Sequence, residues 1–410
     1  MKAFYVAIYL PPFIFALGQG AILPVLADLT VSLGGSLAVS GIVAGGILIG
    51  TLLGDLPGGM IVSRFGEQRA MLMSAVVSLG AAVVCLTAAS WVQLAIGVMV
   101  LGFSGATFGL ARHTYMTVMV PYERRARSLS LLGGSMRIGL FLGPWLAVGL
   151  ISTLGTQSVF YVHIAACLSV IAVLLLLPDP ESFPAPGGAE HPRKAPPPSP
   201  SAVTSVRAHR HVLLRLGPGV SMLAAIRASK TILIPLWGVH IGLSAQQTAL
   251  IVGISAGVEL IPFYASGQIM DRFGRLGAIL PCLIGLAACH VALPFAYSFE
   301  SLLVVAVLLG FVNGIGSGIQ LTLGSDIAPT AAPAKVLAAW RIFGDSGSAA
   351  APLVVSWLIA VASLPFATLT LAGVGFVGAG LLTRYVPRFT GRNKRKADKV
   401  AAEPVGGASA

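Results

Sequence analysis

The chain is a succession of long apolar runs broken by short polar, Gly or Pro punctuation. About 20 consecutive apolar residues are what a helix needs to cross the hydrocarbon core of a bilayer. The runs predict twelve helical spans, over 4–28, 37–62, 70–89, 91–119, 129–153 and 157–177, then 214–240, 246–270, 276–297, 301–325, 336–360 and 363–386. Two stretches lack the pattern. Residues 178–213 contain Pro196-Pro197-Pro198-Ser199-Pro200 with interspersed basic residues, and residues 388–410 are rich in Arg and Lys and then in Ala and Gly. Neither carries a core-forming pattern, so both read as flexible. The expected architecture is an all-α integral membrane protein: a six-helix bundle over 1–177, a linker over 178–213, a second bundle over 214–387 and a basic tail over 388–410. The apolar run from Phe4 has no small-residue cleavage site after a short core, so it reads as the first span and not as a removed signal peptide.

Composition agrees with lipid as the main solvent. The 410 residues are 56% hydrophobic and only 10% charged, where a soluble domain carries roughly 25% charged residues. The net charge of +12 does not point to nucleic acid, because the basic residues sit in short segments between apolar spans and form no continuous face. They are sorted by side instead. Lys2, Arg64, Arg69, Arg124, Arg125, Arg127, the linker, Arg272, Arg275, Lys335 and the tail all fall on one side, and the six loops of the other contain no Lys or Arg. Cytoplasmic loops hold the excess of positive charge, so the termini and the linker are expected in the cytoplasm. Cys85, Cys167, Cys282 and Cys289 lie inside apolar stretches, with neither metal-ligand nor disulfide spacing, and read as packing residues.

The two bundles are copies. At an offset of 208, Arg64-Phe65-Gly66 falls on Arg272-Phe273-Gly274, Gly59 on Gly267, Leu101-Gly102-Phe103 on Leu309-Gly310-Phe311, Pro121 on Pro329, Gly139 on Gly347, and Pro144 on Pro352. A gapless match of this extent marks a duplicated unit. Small residues also recur every four positions, at Gly46, Gly50, Gly54 and Gly58 and again at Gly310, Gly314 and Gly318. Such faces allow close helix packing, or a contact that slides.

Gly267-Gln-Ile-Met-Asp271-Arg272-Phe-Gly274-Arg275 resembles the loop motif of the major facilitator superfamily, G-x-x-x-D-R-x-G-R. The first half has a degenerate copy in Gly59, Ser63, Arg64, Gly66 and Arg69, with Ser63 where that family has Asp. In the fifth span, Gly139-Leu-Phe-Leu-Gly143-Pro144 is similar to the core of a motif associated with the family's bacterial twelve-helix proton antiporters. Ser130 and Ala147 stand where that motif has glycines. The resemblance implies two bundles around a central cavity lined chiefly by the first, fourth, seventh and tenth spans, with alternating access by rocking. The motif's basic residues are then expected to pin to the neighbouring half as a latch that breaks on rocking.

Ionisable residues at membrane depth are costly and by default mark pathways or relays. Glu259, near the middle of the eighth span, has no partner at i±3 or i±4 and is expected to be an isolated carboxylate that exchanges protons, or a cross-helix paired group. Asp55 is the second proton-coupling candidate. Asp345 follows Arg341 by four residues, so the two share a helix face, and Arg137 occupies the repeat position of Asp345. Arg137, Arg341, Asp345 and Asp326 are expected to form a structural and gating ion-pair cluster at the cytoplasmic side, with Arg137 and Asp345 meeting near the interface of the halves. Arg112, Arg227, Lys230, Gln19 and Asn313 are the candidate cavity residues. If its basic members face the cavity, the cavity is electropositive and suits an anionic or zwitterionic amphipath. His113, His163, His240 and His290 are scattered and read as satisfied polar residues.

These features predict a secondary active transporter, expected as a monomer in a bacterial plasma membrane. It would be driven by a proton gradient without cofactor or metal and would act on a small-molecule substrate. Proton-coupled efflux of an organic or amphipathic compound is the first reading; a lipid or glycolipid translocase and an importer of a small anion are the alternatives. No nucleophile–base pair, metal constellation, cofactor loop or ATP-binding motif is present, so an enzyme is not expected. A receptor would need an output domain that neither linker nor tail could form.

Overall fold

A computed structural model describes residues 2–119, 122–176, 210–327 and 333–402; most of the predicted linker lies outside the described residues. The first half contains α1 (Lys2–Ile22), α2 (Leu26–Ser32), α3 (Leu37–Phe65), α4 (Glu67–Leu86), α5 (Trp91–Met119), α6 (Tyr122–Leu154) and α7 (Val159–Leu176). The second contains α8 (Arg210–His240), α9 (Ala245–Phe273), α10 (Leu276–Ala292), α11 (Phe299–Ile315), α12 (Ile319–Ile327), α13 (Pro333–Val361) and α14 (Leu364–Ala402). No strand occurs among the described residues.

Helices α1 and α2 form one span, joined by a 3-10 turn at Leu23–Val25 that contains Pro24. Among the described residues, eleven helical stretches are long and apolar enough to cross a bilayer, and α9 makes a twelfth if its 43° bend between Phe263 and Ala265 is taken as one span. Pro262 at that bend removes a backbone donor and crowds the preceding turn.

Each half packs in the same pattern. The second span lies on the fourth, the first on the fifth and the third on the sixth, as α3 on α5, α1 on α6 and α4 on α7. The pairs α9 on α11, α8 on α13 and α10 on α14 repeat this arrangement. The glycine faces serve these contacts inside each half. Gly50 and Gly54 lie against the Met99 and Phe103 carbonyls of α5, and Gly310 and Gly314 against the Ser255 and Glu259 carbonyls of α9. Gly139 and Gly143 likewise bring α6 onto the backbone of α1.

The halves meet along two seams, α3 on α13 and α6 on α9. Gly45 faces Pro352 across the first, and Gly253 faces Pro144 and Trp145 across the second. The offset of 208 relates Gly45 to Gly253 and Pro144 to Pro352, so the two seams are copies of one contact. Both lie nearer the ends of the helices whose loops lack Lys and Arg.

Two features depart from the sequence expectations. The first part of the tail is helical, since α14 continues to Ala402. A helix already nucleated extends at little cost, and the Lys, Arg and Ala residues of this segment are good helix formers. The tenth span is broken at Gly316–Gly318, with Gly318 at φ +78°, whereas α5 runs unbroken from Trp91 to Met119. Phe108, Gly109 and Leu110 stand at the repeat positions of the break, and only in the second half does a glycine supply the left-handed residue there.

Candidate substrate site

A cavity of about 420 Å³ lies between the halves, lined by residues of the first, fifth, seventh, eighth and tenth spans. Its apolar wall includes Leu23, Met136, Leu140, Ile234, Val252 and Leu260; its polar groups include Arg137, Lys230, Ser255, Glu259 and Asn313. Among the described residues the fourth span contributes none to the lining, contrary to the expectation. Its Gly102 packs on Ile47 of α3, and Gln19 of the first span packs onto its Gly105 and is not among the lining residues.

Glu259 is the centre of the site. Its Oε2 accepts from Lys230 Nζ at 2.7 Å and its Oε1 from Arg137 at 3.2 Å. Lys230 comes from α8 and Arg137 from α6, so the carboxylate is clamped by cations of both halves. The carboxylate is therefore cross-helix paired and not isolated, as the second of the two expectations had it. Spacing along α9 could not reveal partners held on other helices. Arg137 also lies over the Phe263 ring at 4.3 Å, which fixes its plane. The trio carries one net positive charge at a depth where a lone charge costs about 3 kcal/mol.

Behind the trio, Arg227 donates from Nε to Asn313 Oδ1 at 2.8 Å and from Nη1 to the Gly316 carbonyl at 2.5 Å, with a longer contact from Nη2 to the Asn313 carbonyl at 3.4 Å. These carbonyls end α11 where the tenth span breaks, so a cation caps them. Ser266 lies 2.7 Å from the Ile315 carbonyl and 2.6 Å from that of Ser317. Arg112 is buried at 2% exposure in α5 and does not line the cavity.

The expected four-residue ion cluster is three separate contacts. Arg137 faces Glu259 and not Asp345. Arg341 and Asp345 approach only to 3.9 Å with half-exposed side chains, and Asp55 lies within electrostatic reach of both, outside the cavity lining. Asp326 takes a bidentate contact from Arg275, at 2.7 and 3.1 Å, within the same half. Among the described residues, Arg275 of the loop motif is thus a clasp inside the second half and not a latch to its neighbour. It ties the end of α9 to α12, with Asp271 adding a 3.5 Å contact to Arg275. Arg64 and Arg272 lie over the rings of Phe65 and Phe273. Gly66 and Gly274 turn the chain at φ +82° and +76°, conformations that disfavour any side chain. In the first half Ser63, Glu67 and Val118 replace Asp271, Arg275 and Asp326, so the residues of an equivalent clasp are missing. Arg69 is the loop's remaining basic residue, with no counterpart role visible. His163 bonds Ser78 at 2.8 Å and His290 bonds Ser229 at 2.9 Å, both fully buried.

Two pseudo-symmetric bundles of apolar helices enclosing a charged cavity are the architecture of a membrane transporter. The chain belongs to the Major Facilitator Superfamily, whose model matches residues 12–352. It is similar to the cis,cis-muconate transport protein of Acinetobacter baylyi, at 24% identity over 345 residues that cover 81% of this chain and 79% of that one. It is 30% identical over 133 residues to the probable anion transporter 7 of Oryza sativa, covering 32% of this chain and 30% of that one. Its fold matches a crystal structure of a bacterial homologue of the human lysosomal transporter Spinster, captured inward-facing and unoccupied. The TM-score is 0.74 at 13% identity, with 95% of this chain and 97% of that one covered.

Proposed function

We propose that the protein moves a small organic carboxylate across the bilayer by alternating access, and that Glu259 takes up a proton as the substrate carboxylate replaces it on Lys230 and Arg137. One observation carries this reading: two cations from opposite halves converge on a single carboxylate inside the central cavity. A substrate anion that takes both cations leaves Glu259 without a counter-charge at membrane depth, where the protonated form is favoured. Anion and proton then promote each other's binding, and this linkage makes the coupling a symport. The cavity's size is at the low end for small-molecule sites, which suits a compact acid with an apolar body over a two-chain lipid. The muconate and anion transporters among its relatives carry names of the same chemistry. The charge rule supports a cytoplasmic basic end, and the relatives from Acinetobacter baylyi and Bacillus subtilis support a bacterial plasma membrane.

The Gly139, Gly143 and Pro144 run supports a second reading, proton-driven efflux. Purified protein in liposomes separates the two whatever its orientation. In a symport, acid outside drives uptake of labelled cis,cis-muconate or benzoate; in an antiport, acid inside does. Binding of cationic or neutral compounds with no carboxylate bound, or movement of labelled lipid alone, would overturn the organic-anion reading.

A further inference from the structure

The hydrogen bonds around Asn313 have a chemical consequence. An arginine Nε–H can only donate. The Asn313 side-chain atom 2.8 Å from Arg227 Nε is therefore its oxygen, and the amide NH2 must point the other way. On that other side lies the cavity, which Asn313 lines together with Glu259, Arg137 and Lys230. An amide is otherwise free to turn over, presenting either an acceptor or two donors. Here one orientation is imposed from behind by a guanidinium whose Nε and Nη atoms are taken up by Asn313 and by the carbonyls that end α11.

We propose that Arg227 is a positioning residue that locks Asn313 as a hydrogen-bond donor, so that the cavity meets its substrate with donors from Arg137, Lys230 and Asn313 and thereby selects carboxylates over their amides and other groups that need an acceptor. This rests on the organic-anion reading of the same site. A carboxylate offers acceptors only, and every donor of the wall finds a lone pair. A primary amide brings two N–H groups toward donors. Among the charged and amide groups of the wall Glu259 is the acceptor that faces the ligand, and it is already held by two cations. Such mismatched polar groups are the strongest source of discrimination between isosteres. Arg227 itself does not line the cavity and acts through Asn313.

The test is equilibrium binding of cis,cis-muconate and benzoate, each alongside its primary amide, to wild type, Arg227→Met and Asn313→Ser in detergent. Wild type is expected to prefer the acids. In Arg227→Met the freed amide turns to accept from an amide ligand, so affinity for benzamide rises about fivefold, the worth of one neutral hydrogen bond. Asn313→Ser, whose hydroxyl can donate or accept, raises it in the same direction and carries the test if Arg227→Met does not fold. Loss of a remote positive charge cannot strengthen binding of a neutral amide, so the gain separates positioning from mere electrostatics. Amide affinity unchanged or lowered in both variants, with acid affinity reduced, overturns the inference. Wild type that binds neither acid nor prefers it to its amide overturns the organic-anion reading and takes this inference with it.

Discussion

Replacing Glu259 by Gln keeps the shape of the side chain and removes its charge, which leaves Lys230 and Arg137 facing each other across the cavity. The two do not suffer equally. The Lys230 side chain is 7% exposed and that of Arg137 is 29% exposed. Leaving a buried charge without its partner costs about 3–5 kcal/mol, whereas a partly exposed pair contributes at most about 1 kcal/mol. Most of the loss therefore falls on Lys230. Gln retains a carbonyl that accepts from one cation, so the low end applies. Glu259→Gln is expected to lose about 3 kcal/mol of stability, roughly a hundredfold in the unfolding equilibrium. Thermal unfolding in detergent with and without benzoate measures it. The unliganded variant should unfold earlier than wild type, and added carboxylate should stabilise the variant more, since it supplies the missing charge. In liposomes the variant should exchange anion across the bilayer but ignore an imposed pH gradient. A variant as stable as wild type that still follows the gradient would refute the assignment of both roles to this carboxylate.

Three further outcomes follow from the packing. Gly45→Val drives a side chain into Pro352 at the seam between α3 and α13. A cysteine introduced at Ile234 in the cavity should then become more reactive to an impermeant thiol reagent added on the side whose loops lack Lys and Arg; unchanged labelling would show that this seam is not a seal. Ser266→Ala removes the hydroxyl that serves the Ile315 and Ser317 carbonyls at the break in the tenth span. It should cost about 1–3 kcal/mol in thermal stability, the penalty for an unsatisfied buried acceptor, and an unchanged unfolding temperature would mean those carbonyls find other donors. Asp326→Asn opens the Arg275 clasp, where the Arg275 and Asp326 side chains are 26% and 23% exposed. The expected loss is about 1 kcal/mol or less, with a larger proteolytic sensitivity near α12 than in wild type; a loss the size of that in Glu259→Gln would refute the view of it as a local clasp.

Much of this protein follows from one-dimensional information. A helix buried in lipid must satisfy its own backbone and be apolar over the bilayer thickness, so span number and approximate ends are written in local runs of residues. The duplication is legible because both copies keep glycine and proline where backbones must approach, and Gly45, Gly253, Pro144 and Pro352 even carry the symmetry into the seams. Helix propensity alone explains why α14 outruns its apolar segment. What local sequence could not determine is which charge meets which. Arg137 sits at the repeat position of Asp345 yet pairs with Glu259, because the seam sets α6 against α9 and not against α13. Asp326 is near the predicted cluster in sequence but belongs to Arg275 once α12 turns away at Gly318. Arg227 reads as a cavity cation and proves to be engaged behind Asn313. Ion pairing at membrane depth depends on distances of a few ångströms between side chains of different helices. Those distances are fixed by crossing geometry and helix breaks, and so they belong to the tertiary structure.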